Sequence, residues 1–156
     1  MGLDSAQGYF SLGMTAEAWA ALETIDAAFS GCIEVLQLRM GFLIEERRWD
    51  DALQLSLDMC QSMPDEDAGF IHAAYCLHEL GRTCDAFDTL RTGPASLADN
   101  PVYHYNIACY QAVLGDTDNA SRSVCRAIQM DSKLVSEALS DPDLAGIRDV
   151  IESLDA

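Results

Sequence analysis

The chain is poor in basic residues. Nine Lys and Arg stand against 26 Asp and Glu in 156 residues, for a formal charge of −17. Such a surface repels phosphate backbones and anionic lipid, so neither nucleic acid nor a membrane surface is expected as a partner. A basic or amphipathic polypeptide suits it. No apolar run reaches the roughly 18 residues needed to cross a bilayer, so membrane insertion is not expected. The first residues, Met1-Gly2-Leu3-Asp4-Ser5, lack the basic and then greasy pattern of a secretory signal. Ala6 stands where an N-terminal acylation signal wants Ser or Thr. Also missing are G-x-x-x-x-G-K-[ST], G-x-G-x-x-G and G-x-S-x-G, so no nucleotide cradle or nucleophile elbow is expected. The six cysteines, Cys32, Cys60, Cys76, Cys84, Cys109 and Cys125, form no C-x-x-C pair. Most sit in apolar helical patterns, as free thiols do in a reduced, cytoplasmic protein.

What the chain does have is a repeat. Gly13-Met14-Thr15-Ala16-Glu17-Ala18 returns as Gly81-Arg82-Thr83-Cys84-Asp85-Ala86 and as Gly115-Asp116-Thr117-Asp118-Asn119-Ala120, with Arg47-Arg48-Trp49-Asp50-Asp51-Ala52 between. Ala18, Ala52, Ala86 and Ala120 are 34 residues apart, a period that fits one pair of helices per unit. Each Gly falls where one helix stops and the chain reverses. The Thr two positions on is expected to cap the next helix. Glu17, Asp51 and Asp85 complement that helix's dipole. The repeated Ala lets paired helices approach closely.

Apolar residues at helical spacing flank every turn: Phe10 and Leu12 before the first, Trp19, Leu22 and Ile25 after it, and so on through Val124 and Ile128. The pattern predicts helices over about 4–12 and 15–28, 32–46 and 49–62, 66–80 and 83–92, 101–114 and 117–130. The expected organisation is one all-α domain over 1–156, with repeats at about 1–31, 32–65, 66–99 and 100–133. After Asp131 the period ends. Asp141-Pro142 offers an N-cap and a first-turn proline, and Leu144, Ile147, Ile151 and Leu154 form a stripe. A capping helix over about 141–154 is predicted, because a solenoid needs a terminal element with a polar outer face.

Over about residues 4–132 the 34-residue spacing resembles the tetratricopeptide repeat family. The segment Tyr103-His104-Tyr105-Asn106-Ile107-Ala108-Cys109-Tyr110, followed by Leu114-Gly115 and Ala120, is similar to terminal repeats of bacterial members. The second unit departs by carrying Glu46 and Arg47 where an apolar residue and Gly are usual, and the third by carrying Gly93 for a final Ala. The resemblance implies a right-handed α-solenoid of about four helix pairs whose concave face holds a peptide or a partner helix. In that register the groove positions are Gln37, Gly41, Ile44 and Glu45; Ile71, Tyr75, His78 and Glu79; and Tyr105, Asn106, Cys109, Ala112 and Val113. None is Lys or Arg, so the family's grip on a C-terminal carboxylate is not expected.

The implied function is a protein- or peptide-binding adaptor or scaffold, not an enzyme, and no cofactor is expected. The alternative is a cytoplasmic chaperone for a secreted or apolar client; Phe70–Leu77 is faintly similar to a stretch of such secretion chaperones. Self-association through the terminal repeats is a further expectation, from apolar Tyr9 and Phe10. His72 and Cys76, four apart on one helical face, with His104 and Cys109 later in the stack, invite a zinc reading, but buried thiols and partly buried histidines account for them, and no metal site is expected. Glu45-Glu46 and Asp50-Asp51 read as solvated acids.

Overall fold

A computed structural model describes residues 2–29 and 31–155, and those residues contain α- and 3-10 helix and no strand. The helices are α1 (Leu3–Ser11), α2 (Thr15–Phe29), α3 (Ile33–Glu45), α4 (Trp49–Ser62), α5 (Asp67–Glu79), α6 (Thr83–Arg91), α7 (Pro101–Val113), α8 (Thr117–Met130), α9 (Leu134–Ser140) and α10 (Arg148–Asp155). Short 3-10 segments cover Ala95–Asp99 and Pro142–Ile147. The all-helical class expected from the period is what the chain adopts.

The period has a backbone cause. Gly13, Arg47, Gly81 and Gly115 all have positive φ, of 74°, 55°, 76° and 87°. At each, two hydrogen bonds close the preceding helix in the same way: Gly81 N–H to His78 O at 2.8 Å and Arg82 N–H to Leu77 O at 2.8 Å, and likewise Arg47 to Ile44 and Arg48 to Leu43. This is the Schellman stop, which places its C′ residue in the left-handed region. A Cβ on Gly13, Gly81 or Gly115 would meet nothing within 4 Å, so the sign of φ, not crowding, selects glycine there. Five residues after each stop the repeated Ala is completely buried. Arg48 and Arg82 each bond the Asp three positions on, at 2.8 Å, so a second feature repeats with the same period.

The threonines do not cap. Thr15, Thr83 and Thr117 are the first residues inside α2, α6 and α8. Thr83 turns its hydroxyl to His78, and the cap of α8 is Asp116, whose carboxylate accepts from Asn119 N–H at 3.3 Å. A carboxylate one position earlier reaches the orphan donor without bending the first turn.

The chain divides into two compact units, residues up to Leu55 and residues from Ser56. In the first, Ala6, Ala18, Leu22, Val35 and Phe42 form the core. Phe10 stacks on Phe42 with centroids 4.0 Å apart, and Trp19 meets Phe42 edge-on at 5.4 Å. Trp19 Nε1 donates to Glu46 Oε1 at 2.9 Å, and the guanidiniums of Arg39 and Arg48 lie 5.9 and 5.4 Å from its ring. Phe10 is thus packed, while Tyr9 stays 38% exposed.

In the second unit α5 pairs with α6 and α7 with α8, and α7 also carries the Pro142–Ile147 segment. A Cβ on Gly69 would lie 3.0 Å from Cys60 N, which marks close passage of α5 over the end of α4. At Gly93 an added Cβ would collide with Leu97 and press on Phe70 at 3.0 Å. Leu97, in the 3-10 segment, fills the room that an alanine would take, so α6 ends early. Beyond the period the chain forms α9, then the 3-10 turn, then α10, instead of one helix over 141–154; Leu144, Ile147 and Ile151 of the expected stripe are buried, whereas Leu154, in the last turn, is 38% exposed.

Candidate functional site

In the second unit a pocket of about 500 Å³ gathers polar side chains from several elements. Helical spacing builds its walls. α5 contributes Tyr75, His78 and Glu79, and α7 contributes Val102, Tyr105, Asn106, Cys109 and Tyr110, each set one to two turns of a single face. α9 adds Leu134, Glu137 and Ser140, and the turn after it adds Asp141, Pro142 and Asp143. Glu79, Val102, Glu137 and Ser140 are exposed at the mouth, whereas Tyr105, Cys109 and Tyr110 are buried at the floor.

The floor is wired to the C-terminal turn. Asp141 Oδ1 accepts from Asp143 N–H at 2.9 Å, the N-cap role expected of it, while Oδ2 accepts from Tyr105 O–H at 2.7 Å and Cys109 S–H at 3.6 Å. Asp143 Oδ2 is 2.8 Å from His78 Nε2, and His78 Nδ1 is 3.0 Å from Thr83 Oγ1. Burial, and then the Asp141 hydrogen bond, push the Tyr105 phenol well above its usual range. Burial, and then the charges of Asp141 and Asp143, hold Cys109 protonated. Both ring nitrogens of His78 are engaged, so the imidazole is not placed to deprotonate Cys109. The Tyr110 hydroxyl is buried and, among the described residues, is the buried side-chain oxygen with no hydrogen-bond partner.

Four carboxylates line this pocket, Glu79, Glu137, Asp141 and Asp143, and no Lys or Arg does. The lining is therefore acidic, with Tyr75 at its wall and Tyr105 and Tyr110 at its floor. Cys109 Sγ and one oxygen each of Asp141 and Asp143 lie within 4.8 Å of one another, the one group of three or more metal-type donors among the described residues.

The expected groove residues divide. Tyr75, His78, Glu79, Tyr105, Asn106 and Cys109 line the pocket; Ile71 and Val113 do not, Ile71 being half-buried and Val113 47% exposed. Gln37, Ile44 and Glu45 belong to the first unit, where Glu45 lines a pocket with Phe10, Phe42 and Glu46. Tyr105 and Cys109 are turned onto the chain's own Asp141, so they are not free contact surface. His72 and His104 stay outside the pocket; burial holds the His72 imidazole below its usual value, and His104 Nε2 lies 2.8 Å from Ala98 O. Sequence reasoning missed Val102 and Tyr110 on α7, and Leu134, Glu137, Ser140, Asp141 and Asp143 beyond it, Asp141 being expected only as an N-cap. Those from Leu134 onward fall after the period ends, and the remaining signal was the acid pair around Pro142.

No family model and no curated protein matches the chain. Solved structures do. A crystal structure of MamA aligns with a TM-score of 0.71 at 13% identity, over 95% of this chain and 88% of that one. MamA AMB-1 aligns at 0.66 and 18%, over 82% and 76%, and MamA MSR-1 at 0.64 and 19%, over 82% and 74%. At these identities the likeness is one of fold, the tetratricopeptide-like helical repeat.

Proposed function

We propose that the chain is a non-catalytic protein-binding module, an adaptor or scaffold that takes a basic segment of another polypeptide into the pocket of its second unit. The observation that carries this reading is the pocket mouth. Glu79 and Glu137 stand exposed on two elements, Tyr75 and Asn106 line the same cavity, and no lining Lys or Arg neutralises them. A cavity of about 500 Å³ holds one or two side chains. An arginine there meets carboxylates at its fork and a phenol at its face. The likeness to MamA supports the reading through the fold alone.

The six cysteines are all free, which supports a reducing, cytoplasmic setting. Among the described residues no helix is long and apolar enough to cross a membrane. A second reading, a chaperone for an apolar or secreted client, is supported by a pocket of about 400 Å³ in the first unit, lined by Leu3, Ile25, Phe29 and Val35, with Phe29 59% exposed.

A fluorescent peptide library scanned with Arg, Lys and apolar residues separates the two. Basic peptides should bind best, and Glu79→Gln with Glu137→Gln should weaken them about tenfold at low salt and flatten the salt dependence. Unchanged binding by the double variant rejects the pocket. Preference for apolar peptides, lost in Phe29→Glu, selects the chaperone reading.

A further inference from the structure

The pocket floor carries donors that peptide binding at the mouth does not use. Cys109 projects from α7, and Asp141 and Asp143 come from the turn after α9. Their sulfur and carboxylate oxygens lie within 4.8 Å of one another. A tetrahedral first-row ion, with bonds of about 2.3 Å to sulfur and about 2.0–2.2 Å to oxygen, sets its donors roughly 3.3–3.6 Å apart. Cys109 Sγ and Asp141 Oδ2 are already at 3.6 Å.

Two further observations point to an occupant. Tyr110 is 1% exposed and lines the same pocket, yet its hydroxyl has no hydrogen-bond partner, whereas the neighbouring Tyr105 and His78 are paired. A buried phenol left unpaired in a polar pocket calls for a partner such as an ordered solvent molecule. Second, His78 is clamped by Thr83 at one nitrogen and directs the other to Asp143 Oδ2 at 2.8 Å, the arrangement by which an imidazole fixes a carboxylate beside a metal.

The donor set chooses the ion. Calcium and magnesium take oxygen and shun sulfur, while one thiolate with two carboxylates suits a borderline ion. We propose that Cys109, Asp141 and Asp143 form a site for a divalent first-row transition ion of the zinc type, with solvent in the fourth position and His78 positioning Asp143. On binding, the Cys109 thiol releases its proton to solvent and the sulfur–metal bond replaces the Cys109–Asp141 hydrogen bond. No electron moves, and one proton leaves per ion. Ligands from α7 and from the terminal turn would then staple the C-terminal segment to the repeat. The site stands whether or not the pocket mouth takes a peptide.

The test is titration of the chelator-treated full chain with cobalt(II), which reports thiolate ligation by a sulfur-to-cobalt charge-transfer band. The band should rise to one equivalent, bleach on adding zinc, and accompany release of one proton and a higher Tm. Cys109→Ser should abolish it, Cys84→Ser should leave it, and Asp143→Asn should weaken cobalt more than tenfold, with the fold of each checked by circular dichroism. No band, or a band unchanged in Cys109→Ser, overturns the proposal. Should Cys109→Ser not fold, undiminished cobalt affinity in Asp143→Asn overturns it equally.

Discussion

Arg47 occupies the position that glycine fills in the other three helix stops, with φ 55° against 74°, 76° and 87°. The left-handed conformation costs a residue bearing a Cβ about 1–2 kcal/mol. Glycine removes that strain but adds freedom to the unfolded chain, which offsets about 0.5–1 kcal/mol. Arg47 is exposed, and neither a hydrogen bond nor an ion pair from its side chain is seen among the described residues, so little else is lost. Arg47→Gly should therefore stabilise the first unit by about 0.5–1 kcal/mol, a rise in midpoint of roughly 2–6 °C. Both tryptophans, Trp19 and Trp49, fall in that unit, so indole fluorescence during urea or thermal unfolding reads it directly. The reciprocal variant, Gly81→Ala, gains a Cβ that meets no atom within 4 Å; its backbone strain of about 1–2 kcal/mol, offset by about 0.5–1 kcal/mol from the stiffer unfolded chain, should leave a net loss of about 0.5–1 kcal/mol. An unchanged or lowered midpoint in Arg47→Gly, with Gly81→Ala destabilised, would refute the argument that φ alone sets the residue at these stops.

Other expected outcomes rest on different contacts. Tyr105→Phe removes the 2.7 Å bond to Asp141 and should destabilise the second unit by about 1.5–3 kcal/mol, read by circular dichroism in urea. Gly93→Ala drives a methyl into Leu97 and Phe70 and should cost about 1–3 kcal/mol; a neutral result would mean that the 3-10 segment yields freely. Timed alkylation at pH 8 should modify the exposed Cys32 and Cys84 first, while Cys76, buried and pushed up to about 11, stays protonated and slow. Burial lowers the folded-state value of His72, so the second unit should hold its stability above about pH 6.5 and lose part of it as pH falls below, and His72→Phe should flatten that slope in pH-dependent urea melts.

The fold was legible because its cause is local. A stop residue, a turn and a small residue five positions later recur wherever a helix reverses, and each of these acts through backbone geometry within one turn of itself. The 34-residue recurrence of positive φ and of buried alanine is the same statement in coordinates. The pocket was half legible for a related reason. Helical spacing alone puts Tyr75, His78 and Glu79 together, and Tyr105 with Cys109. That Asp141 and Asp143 come back to meet them depends on α9 being short enough to return the chain. No periodicity in residues 131–156 encodes that distance.

Departures from a repeat carry information of another kind. Glu46 and Arg47 look like decay of the second stop, since an apolar residue and glycine are usual there. Glu46 instead accepts the Trp19 indole proton at 2.9 Å, and Arg48, 3.5 Å from the other Glu46 oxygen, lies over the Trp19 ring. A half-buried indole N–H needs an acceptor, and an apolar residue at position 46 would leave it none. The odd residue in the pattern is thus fixed by a partner 27 positions away. The strain at Arg47 has no such partner to explain it. The two departures, adjacent in sequence, therefore have opposite physical status: Glu46 satisfies a half-buried donor, and Arg47 is a site where glycine should do better.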